Sequence, residues 1–152
     1  MAKGTQRAAD SVSEQTGLKL QDYGVDQLAV ILVSDTFAAS ADFINISQFT
    51  QVSTAGTEYT GAKNTTGTWT RSALSDITNL QAGTVQWGQD SAGPTNIQCA
   101  VLHNTAAGAV GNGDVITVVD LTDDNGTTPV SLVAGALNIN FANSVTMTVQ
   151  RQ

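Results

Sequence analysis

The chain has 152 residues, of which only 12% are charged, and its formal net charge is −7. Neutral polar residues replace the missing charges, with 21 Thr, 11 Ser, 12 Gln and 10 Asn. The acidic balance argues against a nucleic-acid partner, because a phosphate backbone is bound by clustered Lys and Arg. No apolar stretch approaches the roughly 18 residues of a membrane-spanning helix, so no membrane partner is expected either.

The composition favours β structure. Thr and the 15 Val are β-branched residues, which are stiff at χ1 and fit strands better than helices. Hydrophobic residues make up 41% of the chain, which is enough to build a core. A chain of this length is therefore expected to fold as one self-sufficient domain.

The first 24 residues differ from the rest of the chain. They contain three of the six basic residues, Lys3, Arg7 and Lys19, and few large apolar ones. No apolar segment follows these charges, so the segment is not expected to be a secretory signal. Two interpretations stay open, a frayed terminus and an arm that docks on a neighbouring subunit.

From Asp26 onward, strand patterns follow one another, separated by turns rich in Gly, Asn and Asp. Residues 27–34 form a nearly continuous apolar run, which predicts a strand buried on both faces. Eight further segments have strand character: 43–47, 66–72, 84–87, 96–103, 115–121, 129–133, 137–141 and 145–149. This spacing predicts an all-β fold, an antiparallel β-sandwich of jelly-roll type over residues 25–152. Residues 1–24 are predicted to form an extended N-terminal arm.

The chain has one cysteine and one histidine, Cys99 and His103. In a strand, residues four apart share a face but lie about 13 Å apart, whereas a nucleophile and its base must lie within roughly 3 Å. We therefore expect Cys99 to be a small buried residue and His103 to lie at a strand end. No catalytic residue, metal or cofactor is predicted, and the chain is not expected to be an enzyme.

An acidic stretch contains Asp120, Asp123 and Asp124. It does not match an EF-hand loop, because Leu121 and Leu132 would occupy positions at which that loop needs oxygen ligands. Two interpretations stay open for these carboxylates, an irregular cation site and a solvated acidic turn.

The aromatic residues suggest a separate binding hypothesis. Trp69 is flanked by threonines, and an exposed Trp69, Tyr59 or Trp87 could stack against a sugar ring. A carbohydrate-binding β-sandwich module is therefore one alternative function. The other interpretation is that these rings pack in the core or at an interface.

Six stretches together carry a family resemblance: 26–37, 41–43, 58–61, 84–87, 98–103 and 137–141. Their order resembles that of small β-rich virion proteins of tailed bacteriophages, which are often regarded as head decoration proteins. The resemblance implies a structural virion protein, a cement subunit on the outer shell of a phage head, with the major capsid protein as partner. It also implies a homo-oligomer, with a trimer favoured, assembled in the host bacterial cytoplasm. A neck, tail or fibre-base component of such a particle is the alternative.

The charge distribution suggests how such a subunit would bind. Residues 72–150 contain six Asp and no Lys or Arg, so this part would face outward or meet a basic patch on the shell. The arm, through its three basic residues, would bind an acidic groove on the coat protein. Its predicted partner-binding residues are Lys3, Arg7, Lys19 and Tyr23.

Overall fold

The computed structural model describes residues 6–8, 28–36, 45–71, 77–105, 113–122, 128–141 and 147–150. For residues 6–8, 69–71, 77–80 and 147–150 it describes the backbone alone. Within these ranges the chain is mostly β, its ladders are antiparallel, and the one helical element is a single 3-10 turn, Ile46–Gln48. The prediction of an antiparallel all-β fold is confirmed for these residues.

In the described residues, ten strands form three sheets. The strands are Gln6–Ala8 (β1), Leu28–Val33 (β2), Lys63–Thr65 (β3), Gly67–Arg71 (β4), Ile77–Ala82 (β5), Val85–Trp87 (β6), Cys99–Asn104 (β7), Val115–Asp120 (β8), Leu137–Ile139 (β9) and Met147–Gln150 (β10). One sheet has the order β1-β8-β7-β2-β3, a second has the order β10-β5-β4, and β6 pairs with β9. Only Thr66 separates β3 from β4, so the chain passes from the first sheet to the second at this residue.

The centre of the five-stranded sheet is buried on both faces. Every residue of β2 and β7 is buried, and so are five of the six residues of β8. Side chains of a strand alternate between the two faces of its sheet, so a strand that is apolar at successive positions must be covered on both. The prediction of a strand buried on both faces at 27–34 is confirmed by β2.

The pair β6 and β9 has one buried and one exposed face. Burial alternates around Gln86 in β6 and around Asn138 in β9, and these two exposed residues lie directly opposite each other. The buried side chains of both strands belong to the same hydrophobic core as those of β2, β7 and β8. The strands predicted at 84–87 and 137–141 are confirmed.

The strand predicted at 43–47 is wrong where the structure describes it. Asn45 makes one isolated bridge, to Asp114, and then caps the 3-10 turn. Its side chain accepts a hydrogen bond from the Ser47 amide, and its own amide donates to the Gln48 side chain. Asn side chains compete for nearby backbone N–H groups in this way, which favours a capped turn over a strand.

The strand predicted at 129–133 is also wrong. Val130 makes an isolated bridge with Ile97, and the chain then turns, with the Ala134 amide donating to the Ser131 carbonyl over 3.3 Å. Pro129 has no N–H to donate to a ladder, which limits pairing at the start of this segment. Leu132 and Val130 therefore pack in and against the core from a turn, whereas Val133 is exposed.

Part of the predicted N-terminal arm lies in the five-stranded sheet. Residues 6–8 form β1 at one edge and pair with residues 117–119 of β8. Three of the predicted partner-binding residues, Lys3, Lys19 and Tyr23, lie outside the described residues. The fourth, Arg7, lies in β1 directly opposite Val118, and the structure describes its backbone alone.

Candidate functional site

Tyr59 and Trp87 form an aromatic pair in the core. Their ring centroids lie 6.0 Å apart and their planes are inclined at 56°, a tilted geometry that aromatic rings prefer over a face-to-face stack. Lys63 of β3 lies over the indole, with its Nζ 5.8 Å from the ring centroid, and donates a hydrogen bond to the Gln86 carbonyl. The aromatic pair therefore links the loop that contains Tyr59 to β6, and Lys63 links the pair to the edge strand β3.

The burial of Tyr59 and Trp87 decides between the two interpretations of these residues. A sugar ring stacks on an exposed aromatic face, but Tyr59 is 0% exposed and Trp87 is 1% exposed. Core packing is therefore the correct interpretation for both, and neither can serve as a stacking platform. Trp69 lies in β4, where the structure describes the backbone alone.

The Tyr59 hydroxyl completes the hydrogen bonding of β2. β3 pairs with β2 only at residues 28–30, so beyond them the outer edge of β2 needs other partners. The Leu32 amide donates to the Tyr59 hydroxyl over 3.0 Å, and the hydroxyl donates to the Leu32 carbonyl over 3.3 Å. Gln51 donates a third bond, 2.9 Å long, to the same hydroxyl. Burial raises the pKa of Tyr59, so the hydroxyl keeps the proton that it donates.

Two carboxylates hold the loop that precedes Tyr59. Asp90 accepts hydrogen bonds from the amides of Thr57 and Glu58, at 2.6 and 2.9 Å, through Oδ2. Its Oδ1 accepts another, 3.0 Å long, from the Ala92 amide. In return, Glu58 accepts a bond of 2.8 Å from the Gly88 amide. Charge-assisted hydrogen bonds thus tie together two segments that are distant in the sequence.

The hydrogen bonds to Asp90 make the stability of the fold depend on pH. The amides of Glu58, Thr57 and Ala92 lower the pKa of Asp90 from 3.8 to about 2, because they stabilise the carboxylate over the neutral acid. A carboxyl whose pKa falls on folding stabilises the fold above its unfolded pKa, and this stabilisation is lost as the pH falls through the folded pKa.

We therefore expect the chain to melt at a higher temperature than its Asp90→Asn variant at neutral pH. The difference should shrink as the pH falls from 3.8 to about 2, because both side chains are then uncharged. Circular dichroism melts of the two proteins across this range measure the effect. A difference that stays constant down to the lowest pH would contradict the role of the carboxylate.

Gly56 allows the loop to approach Asp90. Its φ is 97°, and a Cβ at this position would collide with the Asp90 carboxylate. A residue with a Cβ pays roughly 1–2 kcal/mol for left-handed backbone, so we expect Gly56→Ala to lower the free energy of unfolding by about that amount. Gly135 is the matched control, because nothing lies within 4 Å of a Cβ placed there. Urea unfolding compares the two variants, and equal effects would argue against a tight approach at Gly56.

Cys99 and His103 both lie in β7 and are buried. Burial, together with the charges of Asp120 and Asp35, raises the pKa of Cys99 to about 12, so the thiol is protonated at neutral pH and is a poor nucleophile. Burial also lowers the pKa of His103, whose Nδ1 lies 3.1 Å from the Asn104 carbonyl oxygen. The expectation of a small buried cysteine is confirmed, and His103 lies next to the last residue of its strand.

Cys99 is expected to react with thiol reagents only when the fold opens. Its side chain is buried, and its Sγ donates to the Asp35 carbonyl over 3.3 Å. An aromatic disulfide reagent should leave the native chain unmodified at neutral pH and label it fully in denaturant. A Thr95→Cys variant in a Cys99→Ala background is the exposed control. Native labelling of Cys99 at the rate of this control would contradict its burial.

Asp120 ends β8 and is buried. Its Oδ1 accepts hydrogen bonds from the amide and the hydroxyl of Thr122, at 2.9 and 2.7 Å, so this oxygen completes a local turn. Asp123 and Asp124 lie outside the described residues. Within the part of the chain that the structure describes, no three His, Cys, Asp or Glu side chains come together as a metal site requires.

The described surface is almost uncharged. Among the residues whose exposure is described, Glu58 and Lys63 are the only charged ones that are exposed. Each of these two also makes a hydrogen bond to the backbone, with Gly88 and Gln86 respectively. The other exposed residues are mainly Thr, Ser, Gln, Asn and Ala. A partner that meets this surface exchanges hydrogen bonds without removing water from many charged groups.

The outer face of β6 and β9 is a regular part of this surface, and we call it the amide face. It consists of Thr84, Gln86, Asn138 and Asn140, which are all exposed. Gln86 lies directly opposite Asn138, and the Thr84 hydroxyl donates to the Asn140 side-chain oxygen over 3.1 Å. The amide face therefore presents donors and acceptors, but no charge, on strands whose other face is fixed in the core.

Comparison with known proteins identifies no family for the chain. No protein-family model, no curated protein and no solved structure matches it. In the described ranges, no helix has the length and apolar character that crossing a membrane requires. The functional interpretation therefore depends on the chain's own residues and on the geometry of its surface.

Proposed function

We propose that the chain is a structural virion protein, a decoration or cement subunit that binds the outer shell of a tailed-phage head. The major capsid protein is its proposed partner. The observation that carries this proposal is the nearly uncharged, hydrogen-bonding surface of the described residues. A subunit that coats a shell needs contacts that form in water, and neutral polar groups make them at little desolvation cost.

The proposed fold is a β-sandwich of jelly-roll type, and two features support it. Buried residues of β2, β7 and β8 share one core with those of β6 and β9, as the inner faces of two packed sheets do. The chain also changes sheets at Thr66, and strands that change sheets form the corners of packed β structures. Such a fold supplies the stable body that a coat subunit needs.

The hydrogen bonds around the loop before Tyr59 support the same role. Proteases cleave loops that open from the body of a protein. Here Asp90 holds the backbone of Thr57 and Glu58, and the next side chain, Tyr59, is buried and bonded to β2. A loop held in this way suits a subunit that must survive outside the cell after assembly in the bacterial cytoplasm.

The proposed subunit is a homo-oligomer, and a trimer matches the three-fold positions of an icosahedral shell by analogy with such coats. The N-terminal arm is its proposed anchor, with Lys3, Arg7, Lys19 and Tyr23 facing an acidic groove on the coat protein. This assignment is supported by where the basic residues lie, since three of the chain's six are in the arm, whereas residues 72–150 contain no Lys or Arg.

Binding to stripped phage heads tests the proposal. Heads of the encoding phage, freed of this protein, are incubated with the full chain, with a chain that begins at Tyr23, and with a Lys3→Gln, Lys19→Gln variant. The full chain should saturate the heads, and both variants should bind less. No binding by the full chain would contradict the decoration role, whereas equal occupancy by all three would contradict only the docking arm.

A further inference from the structure

We propose that His103 is a pH-sensitive switch, whose protonation opens the contact between the end of β7, the start of β8 and the 3-10 turn. We call this contact the β7 junction, and its members are Asn45, Ile46, His103, Asn104, Gly113 and Asp114. The inference concerns the fold of the free chain. It therefore goes beyond the proposed coat role and does not depend on it.

Backbone hydrogen bonds hold the β7 junction together. The Asn104 amide donates to the Asp114 carbonyl over 3.0 Å, and the Gly113 amide donates to the Asn104 carbonyl over 2.7 Å. The Ile46 amide donates in turn to the Gly113 carbonyl over 2.8 Å. The φ of Gly113 is 80°, and a Cβ there would lie 3.1 Å from side-chain atoms of Asn45 and Ile46. Three segments that are distant in the sequence therefore meet closely at this point.

One of its two ring nitrogens fixes His103 in the β7 junction. Nδ1 lies 3.1 Å from the Asn104 carbonyl oxygen, and a carbonyl only accepts, so Nδ1 carries the proton. The Gly113 amide donates to the same oxygen. Nε2 is buried and has no hydrogen-bond partner among the residues that the structure describes. The side chain as a whole is 3% exposed. The junction therefore fits a neutral imidazole with its proton on Nδ1.

A second proton on the ring would create a buried N–H group without an acceptor. His103 lies directly opposite Ala29 of β2 and Val115 of β8, which are both buried and apolar. A charge buried without a partner is costly, and the ring can reach water only by leaving its bond to Asn104. The register between β7 and β8 already shifts between Leu102 and His103. The end of β7 can therefore open while the rest of its ladder stays paired.

The surrounding charges do not compensate an imidazolium at this position. Neither ring nitrogen of His103 is bonded to a carboxylate of the described residues. β2 and the 3-10 turn have no titratable residue. The Asp114 carboxylate, just before β8, accepts a hydrogen bond of 3.3 Å from Asn45. The other titratable or charged residues on the strands of this sheet lie at other register positions: Cys99 in β7, Asp120 in β8, Arg7 in β1 and Lys63 in β3.

The sign of the pH dependence follows from burial. Burial lowers the pKa of His103 from its ordinary value of 6.5, because it disfavours the charged ring. The unfolded chain then binds more protons than the folded chain, so the stabilisation is complete above pH 6.5 and falls as the pH falls below it. His103 is the one histidine of the chain, and the effect of Asp90 belongs to the range from 3.8 to about 2. The range from about pH 7 to about pH 5 therefore isolates His103 among the side chains.

Thermal melts of the full chain at about pH 7 and about pH 5 test the switch. The wild-type melting temperature should fall by at least about 3 °C between them. His103→Phe keeps a ring but cannot be protonated, so its melting temperature should change by less than about 1 °C. Asp114→Asn is the matched control, because it changes the carboxyl of the β7 junction and keeps the imidazole. It should show the same fall as wild type.

Nuclear magnetic resonance of the wild-type chain tests the same proposal without a variant. The ring nitrogens of His103 should show a proton on Nδ1 and titrate with a midpoint below 6.5. Between about pH 7 and about pH 5, the Ile46 and Gly113 amides should lose protection from hydrogen exchange, after correction for intrinsic rates. The amides of Ile97 and Val130, which bond to each other's carbonyls, should keep theirs.

Three results would overturn the switch. They are a ring that titrates at or above 6.5 in the folded chain, a fall in melting temperature of His103→Phe that equals that of wild type, and an equal loss of protection at all four amides. The measurements use the free chain at fixed concentration. Failure of the switch therefore leaves saturable binding to stripped heads unaffected and is distinguishable from failure of the decoration role.

Discussion

Replacing Trp87 with alanine is expected to lower the free energy of unfolding by about 3–5 kcal/mol. The indole is 1% exposed, packs against Tyr59 and lies under the Lys63 ammonium group. Alanine would leave a cavity that neighbours held in strands cannot fill. Since domains are stable by roughly 5–15 kcal/mol in total, the variant would lie close to global unfolding. Urea unfolding followed by far-UV circular dichroism measures this loss.

Two controls make the Trp87 measurement specific. Trp87→Phe keeps a ring beside Tyr59 and should cost much less than alanine, because most of the volume is retained. Asn138→Ala changes the exposed face of the strand opposite and should stay within about 0.5 kcal/mol of wild type. A Trp87→Ala variant as stable as Asn138→Ala would contradict the placement of the indole in the core.

Removing one oxygen from Tyr59 has the second largest expected effect. Tyr59→Phe keeps the ring but leaves the buried Leu32 amide without its acceptor and removes the acceptor of Gln51. A buried donor that loses its partner costs about 1–3 kcal/mol, so we expect a loss of about 2–3 kcal/mol. The Leu32 carbonyl retains a hydrogen bond of 3.0 Å from the Val52 amide. Of the two backbone groups of Leu32, only the amide therefore loses its partner.

Hydrogen exchange separates this effect from a general loss of stability. In Tyr59→Phe, the Leu32 amide should lose protection beyond the loss shared by the rest of β2. Gln51→Ala is the matched control, because it removes one bond to the hydroxyl and leaves the Leu32 amide paired. If the Leu32 amide were equally protected in both variants, the hydroxyl could not be its acceptor.

The strands that could be predicted are those whose own side chains require burial. The apolar run of β2 has no polar side to expose, so it must occupy the centre of a sheet. In the segments around Gln86 and Asn138, apolar and polar residues alternate. The structure exposes these two polar residues and buries their apolar neighbours. In both cases the pattern within one segment determines its place.

The strands that could not be predicted owe their structure to partners. β3 is Lys-Asn-Thr, and it is extended because it pairs with residues 28–30 of β2. β5 mixes apolar and polar residues without a clear preference, and it pairs with β4 on one side and β10 on the other. Strand propensity depends strongly on such neighbours, so local patterns alone do not reveal these elements.

The residues of the candidate site also differ in whether the sequence alone predicts their roles. The burial of Cys99 could be predicted, because its strand is apolar on both faces. The role of Asp90 could not, because its hydrogen-bonding partners Thr57 and Glu58 lie more than thirty positions away. For Tyr59 and Trp87 the sequence allows either a binding platform or a core pair, and only their exposure in the fold decides between them.

The proposed role as a coat subunit of a phage head is tested most directly by the copy number of this chain on purified particles. Particles of the encoding phage are banded on a density gradient, and the chain is quantified against the major capsid protein by mass spectrometry. Hundreds of copies on each particle are predicted, because a shell subunit repeats with the symmetry of the head. A dozen copies or fewer would instead place it in the neck, tail or fibre base, and its absence from the particle band would contradict a virion role altogether.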